Sequence, residues 1–319
     1  MARLDTILAG RLAVLPRAMS SANLLMRDAP GGLEAPDCRS ANRHSRLLEA
    51  QDGWVALSLA RPEDRDVIPA LTGSDALGWE ALAAAIRAEP ATQFRDRAIE
   101  LQLPVAVLGE APAMPLRPAM GGKVPRRVVD MSALWAGPLC AGLLAQGGAE
   151  VLRIESRLRP DPTSHASPEL DRRINGGKRR LALDLSNATD RAKLMVEIRN
   201  ADVLVTSARA AALVRLGLAP DALLAECPGL TWVAITGHGF FGKGAARVGF
   251  GDDCAVAGGL VQWDGTKPRF LGDALADPLT GLEAALSVLR QMAIGHGGLL
   301  DIVMAQVAAA YAGALQPCG

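Results

Sequence analysis

RRVVDMSALWAGPLCAGLLAQGGAEVLRIE, residues 126–155, decides the fold. RRVVDMS is a short β-branched run and reads as a strand, AGPLCAGLLAQGG reads as a small-residue helix, and AEVLRIE as a second strand. Strand, helix-sized segment, strand is the pattern of parallel pairing, because parallel neighbours need a crossover of about a dozen residues or more. The rhythm continues downstream. RLALDLS is a third strand, residues 187–199 form a helix that Asn187 or Thr189 can cap, and ADVLVTS is a further strand. Two short helices through Leu224 then lead to LTWVAIT. This alternation predicts the α/β class, with a doubly wound, Rossmann-like, mostly parallel sheet covered by helices on both faces. Such sheets bind ligands at the carboxyl ends of their strands. The loops after Asp130, Glu155, Asp184, Thr206 and Thr236 are therefore the expected functional loops.

Two stretches interrupt the pattern. Residues 28–46 (DAPGGLEAPDCRSANRHSR) are rich in Pro, Gly and charge, and residues 109–125 (GEAPAMPLRPAMGGKVP) carry four prolines and three glycines. Between them GWVALSLA and LPVAVL read as strands, and WEALAAAIRA and ATQFRDRAIELQ as helices. The expected division is a small α+β domain over residues 1–120 and a Rossmann-like domain over 121–319.

Composition narrows the function. Half of the 319 residues are hydrophobic but only 3% are aromatic, so the core must be built from Ala, Leu, Val and Ile. Lys plus Arg and Asp plus Glu both total 34, which argues against a nucleic-acid binder and its basic excess. The cysteines, Cys38, Cys140, Cys227, Cys254 and Cys318, are odd in number and form no CxxC pair; no zinc knuckle and a reducing compartment are expected. No apolar run approaches the roughly 18 residues of a membrane helix. Residues 1–21 are amphipathic, contain Asp5 and lack a clear apolar signal core. A soluble, cytoplasmic protein without metal is expected.

Among generic motifs, residues 237–242 (GHGFFG) spell GxGxxG after a strand. A dinucleotide fingerprint must open a helix, and KGAARVGFGDD has no helical apolar period, so a glycine-rich loop is expected instead. No GxSxG occurs, and His44, His165, His238 and His296 show no metal spacing; His238 alone sits at a strand end. Asp277, in FLGDALADPLTGLEAALSVLRQM, stands where a loop gives way to a helix and precedes Pro278. That is how a helix-capping acid looks, and also where a nucleophilic carboxylate could stand. Local chemistry favours the cap and leaves both open.

Taken in order, the segments from about residue 127 to 310 resemble the class III CoA-transferases, a family that includes formyl-CoA and carnitine CoA-transferases and the related α-methylacyl-CoA racemases. The matching pieces are VVDMSALWAGPLCAGLLAQGGAEVLRIE, NGGKRRLALDLS, ADVLVTSARAAALVRLGL, CPGLTWVAITGHG, then AVAGGLV with DPLTG, and GHGGLLDIVM. The resemblance places Asp277 on the family's catalytic aspartate, which attacks the donor thioester and then carries CoA as an aspartyl-CoA thioester. It matches CoA contacts to Trp135 and Ala136 after the first strand, to Leu183, Asp184, Leu185 and Ser186 at the end of the third, and to Ser207 and Ala208 after ADVLV. Arg215 matches an arginine near the nucleotide phosphates, a role suited to a permanently charged, bidentate donor. Lys178 and Arg179 read either as a further phosphate patch or as the exposed start of a strand.

Coenzyme A and acyl-CoA enter as substrates in this family, with a carboxylic acid as the acceptor and no tightly bound cofactor, and the resemblance implies a homodimer of interlocked chains. Two features depart from the pattern. Racemases of the family carry a histidine before the Gly-Gly pair, whereas RVGFGDDCAVAGG has none, which counts against racemization; Asp252 and Asp253 can replace it, cap or line the loop. A typical member also continues past the GHGGLLDIVM region into a small domain, and the N-terminal segments here resemble that domain placed first, so a rearranged member is expected. CoA transfer is the expected function; an acyl-CoA racemase or isomerase and a silent CoA-binding subunit are the alternatives.

Overall fold

The structure is a computed structural model and describes residues 2–17, 19–29 and 31–316; Cys318 lies outside them. The strands run in chain order β1 (Ser45–Glu49), β2 (Trp54–Ser58), β3 (Val105–Val107), β4 (Arg127–Met131), β5 (Glu150–Ser156), β6 (Arg179–Leu183), β7 (Val203–Thr206), β8 (Thr231–Thr236), β9 (Val261–Asp264), β10 (Lys267–Phe270) and β11 (Gly298–Val303). They belong to two compact units. The first takes the described residues of 1–30, Arg117–Ala246 and Pro278–Val303; the second takes Gly31–Leu116, Arg247–Asp277 and the described residues of 304–319. The chain thus passes back and forth between units where the sequence suggested one division near residue 120. A side chain explains the early part of this. Arg11, at the end of the helix Ala2–Leu12, is buried against the Glu283 carboxylate of the first unit. Asp28 likewise accepts the Leu170 amide at 3.0 Å.

The first unit contains a six-stranded sheet in the order β11-β8-β7-β4-β5-β6, parallel at every pairing. The chain starts in the middle at β4, winds outward to β6, and returns to the other side of β4 for β7. The switch point lies between β4 and β7, as the strand–helix alternation predicts for a doubly wound fold. One face is closed by Val129, Ile154, Leu204, Trp232 and Ala234 packed with Leu194, Ile198, Leu213 and Leu223. Each of these Val, Leu and Ile side chains contributes roughly 1.5–3 kcal/mol on burial. The helix Ala136–Gln146 follows β4 and is almost wholly buried, which its small residues permit. Gly137 is required there, because a Cβ would lie 2.2 Å from the Ser132 Cβ.

In the second unit, β1, β2 and β3 form an antiparallel sheet with β2 central. Alternation along β2 sorts its side chains between two faces. Val55 and Leu57 join Ile68, Leu82, Ile86 and Phe94 in one core. Ala56 joins Leu47, Val256 and Phe270 on the other face, which is covered by the helix Gly251–Ala257. Ser45 and Ser58 are register partners on that second face. A hairpin of β9 and β10, unforeseen from the sequence, completes the unit with the helix Met304–Leu315.

Candidate functional site

The covered face of the small sheet carries a cluster of acids. Ser45 and Ser58 face each other with their hydroxyls 2.7 Å apart, and each reaches one aspartate of the helix Gly251–Ala257. Ser58 donates to Asp253 at 3.2 Å and Ser45 to Asp252 at 3.0 Å. Asp253 behaves as a capping acid, accepting the Phe250 amide at 2.9 Å. Asp252 reaches away from its own helix, taking the Asn42 amide group at 3.0 Å and the Ala274 backbone N–H at 2.9 Å. Burial, reinforced by the Asp273 carboxylate, pushes Asp252 up to about 6. Burial and the Asp253 and Asp277 carboxylates push the Cys254 thiol far up, so it is no nucleophile.

Asp277 is the second residue of the helix Ala276–Ile294, inside its first turn, and so is not the N-cap residue that the local sequence suggested. From Ala274 through Leu286 every residue is buried except Asp277, which is half-buried. Its amide donates to the Ala274 carbonyl at 2.9 Å. Ala274 has φ 44°, a left-handed conformation that costs an L-residue roughly 1–2 kcal/mol. The Asp277 carboxylate lies against Gly251, where a Cβ would come within 2.2 Å of its Oδ2 and 2.4 Å of the Ala274 carbonyl oxygen. A carboxylate is a group that can attack a carbonyl carbon, and Asp277 is half-buried where its neighbours are buried. Gly258 and Gly259, by contrast, spend their amides on the Cys254 and Val256 carbonyls.

In the first unit, the sequence-matched residues fall around the carboxyl ends of the strands. Trp135 and Ala136 follow β4, and Ser207 and Ala208 follow β7, so these four flank the switch point. The Ser207 hydroxyl accepts the Ala133 amide at 2.9 Å and ties the two loops together. Trp135 is buried, its Nε1 has no hydrogen-bond partner among the described residues, and the Arg27 guanidinium lies 5.5 Å from its ring centroid. Leu183 ends β6; after it Ser186 donates its hydroxyl at 2.6 Å and its amide at 2.9 Å to Asp184 in a tight turn, and these two bonds pull the Asp184 carboxyl below its usual range. Leu185 lines a cavity of about 110 Å³ with Ser132, Ala133, Glu155 and Arg159. Arg159, which the sequence did not single out, is exposed at that rim in the loop after β5. A larger cavity, about 250 Å³, opens at the amino ends beside Arg127, Glu150 and Arg179, the wrong edge for a parallel sheet to bind ligands. Arg215 ends the helix Ala210–Arg215 and is exposed.

Lys178 is a correction to the phosphate-patch alternative. Its ammonium is buried, bonded to Asp130 at 2.8 Å, to the Pro138 carbonyl at 2.7 Å and to Asn175 at 2.7 Å. Arg153 lies 3.3 Å from Asp130 and 2.6 Å from Asp161, and Asp161 accepts the Leu134 amide at 2.9 Å. Leu134 is left-handed, φ 66°. Burial alone would raise Asp130, but Lys178 and Arg153 hold its carboxyl below the ordinary range. This network braces the loop after β4.

The sequence model of CoA-transferase family III matches residues 126–315. An acyl-CoA transferase of Fusarium pseudograminearum is 29% identical over 198 residues, 56% of this chain and 41% of that protein. A succinyl-CoA–D-citramalate CoA-transferase of Chloroflexus aurantiacus is 28% identical over 194 residues, 55% of this chain and 47% of its own. Among solved structures, a CAIB/BAIF family protein from Brucella suis superposes with a TM-score of 0.53 at 25% identity, over 60% of this chain and 55% of that one. The chain thus spans about half the length of the curated relatives it matches. Among the described residues, no helix is long and apolar enough to cross a membrane.

Proposed function

The chain belongs to CoA-transferase family III, and from that premise we propose that it moves CoA between an acyl-CoA thioester and a carboxylic acid through Asp277. The Asp277 carboxylate attacks the donor thioester carbonyl, the C–S bond breaks, and a mixed anhydride forms with release of CoA thiolate. The thiolate attacks the aspartyl carbonyl of that anhydride, expelling the donor acid as a carboxylate and leaving aspartyl-CoA. The acceptor carboxylate then repeats both steps in reverse order, taking CoA and regenerating Asp277. Each step is an acyl transfer between oxygen and sulfur, which divides one difficult exchange into easier ones.

On this reading the CoA nucleotide is held by Trp135, Ala136, Leu183, Asp184, Leu185, Ser186, Ser207 and Ala208. Arg215 takes a phosphate, with Arg159 as a second cation at the cavity rim. CoA and acyl-CoA are substrates, no cofactor is retained, and the working form is a homodimer. The observation that carries the proposal is the half-buried Asp277 carboxylate in an otherwise buried stretch from Ala274 to Leu286. Incubation with an acyl-CoA, quenching and peptide mass spectrometry tests it. The expected result is CoA mass on the peptide holding Asp277 and none in Asp277→Ala. An adduct unchanged in that variant sinks the assignment.

A further inference from the structure

Asp252 is buried and sits on the second position of the helix Gly251–Ala257, yet the hydrogen bonds it receives come from outside that helix. Oδ1 accepts the Ala274 N–H at 2.9 Å, while Oδ2 accepts Asn42 Nδ2 and the Ser45 hydroxyl, each at 3.0 Å. The capping role belongs to its neighbour Asp253, which takes the Phe250 amide. Ala274 is consequently tied at both ends, its N–H by Asp252 and its C=O by the Asp277 amide. An alanine stays left-handed only where its surroundings over-determine the conformation, and these two bonds supply that constraint. Since Ala274 stands three residues before Asp277, its φ and ψ set the direction from which the helix Ala276–Ile294 starts.

We propose that Asp252 is a positioning residue for Asp277: its carboxylate clamps the left-handed turn at Ala274 and thereby aims the Asp277 carboxylate. The inference rests on the reading of Asp277 as the nucleophile. Asp252 itself touches no reacting atom. Its donors Asn42, Ser45 and Ala274 are neutral and directional.

The test compares Asp252→Ala, Asp252→Asn and the exchange pair Asp252→Asn with Asn42→Asp. The single Asn variant turns one amide donor toward another; the exchange pair restores a donor–acceptor match and keeps the bond to Ala274. Asp252→Ala is expected to lower kcat about 100-fold, the cost of a misplaced reacting group, with KM for acyl-CoA changed less than about threefold. Amide hydrogen exchange is expected to accelerate about tenfold or more in peptides covering 272–278 and to stay unchanged in those covering 79–100. The exchange pair is expected to regain kcat to within about fivefold of the starting protein, as a mutually dependent pair does. Wild-type kcat in Asp252→Ala, unaltered exchange at 272–278, or no recovery in the exchange pair overturns the proposal. If Asp252→Ala does not fold, Asp252→Asn against the exchange pair decides on the same criteria. If the unmodified protein forms no adduct at Asp277, the nucleophile reading fails, while the exchange rates still decide whether Asp252 holds the turn.

Discussion

Leu134 and Ala274 are both left-handed, both adjoin candidate site residues, and both have their amide taken by an aspartate, yet the two turns are secured by different physics. Asp161 holds Leu134 as part of a charged chain that runs through Arg153 to Asp130 and Lys178. Asp252 holds Ala274 with neutral partners. In the charged brace Lys178 and Arg153 hold the Asp130 carboxyl below its ordinary range, while burial draws the Lys178 ammonium down. The neutral clamp contains an acid pushed up to about 6. The loop at the switch point is therefore held by paired charges, while the turn before Asp277 is held by an acid that titrates near 6.

The largest expected effect breaks the charged side. Lys178→Met leaves Asp130 buried with Arg153 as its remaining cation and is expected to cost about 3–5 kcal/mol in urea unfolding at pH 7; a loss under about 1 kcal/mol would mean the brace does not carry the loop. The neutral side is sharpened by pH. The folded pKa of Asp252, about 6, lies above the unfolded value of 3.8, so its contribution is fully present below pH 3.8 and lost as pH rises through 6. Between those limits it is worth on the order of 3 kcal/mol. The stability of the protein relative to Asp252→Asn should decline from pH 4 to pH 7. Asp130, held low, gives the opposite slope against Asp130→Asn, with stability lost as pH falls; two curves of the same sign would contradict the comparison. Third, Gly251→Ala forces a methyl onto the Asp277 carboxylate and the Ala274 carbonyl. It is expected to cost about 1–3 kcal/mol by calorimetry and to displace the carboxylate, lowering kcat. The smallest effect distinguishes an exposed cation from the buried one. Arg215→Ala should leave stability within about 0.5 kcal/mol but raise the Kd for CoA about tenfold, the worth of one charged hydrogen bond.

Much of the large sheet was legible because β-branched runs, small-residue helices and glycine turns repeat locally along residues 126–236. The β9–β10 hairpin was equally local: its two-residue loop is Gly265-Thr266, with the glycine in the first loop position at φ 59°, a turn signal that went unread. The clamp around Asp252 was not legible. Its partners Asn42, Ser45 and Ala274 lie 210, 207 and 22 positions away, and no periodicity links positions so far apart. Lys178 misled for a related reason. In NGGKRR it looks like the start of an exposed cationic strand, and only the fold brings Asp130 beneath it. Asp277 was singled out through ordered motifs, while its place inside the first helical turn follows the left-handed Ala274 before it, which alanine does not announce.

The alternation of the chain between its units also sets a timetable. The sheet β1–β2–β3 is complete by Val107, but the helix that covers its Leu47 and Ala56 face ends at Ala257, and the helix packed on that one begins at Met304. At a synthesis rate of about 5–20 residues per second, that face stays open on the ribosome for roughly 10–30 s. During that interval an apolar strand face with two serine hydroxyls is available to any neighbouring chain. The yield of this protein should accordingly depend on how fast it is translated and on which chaperones meet it there.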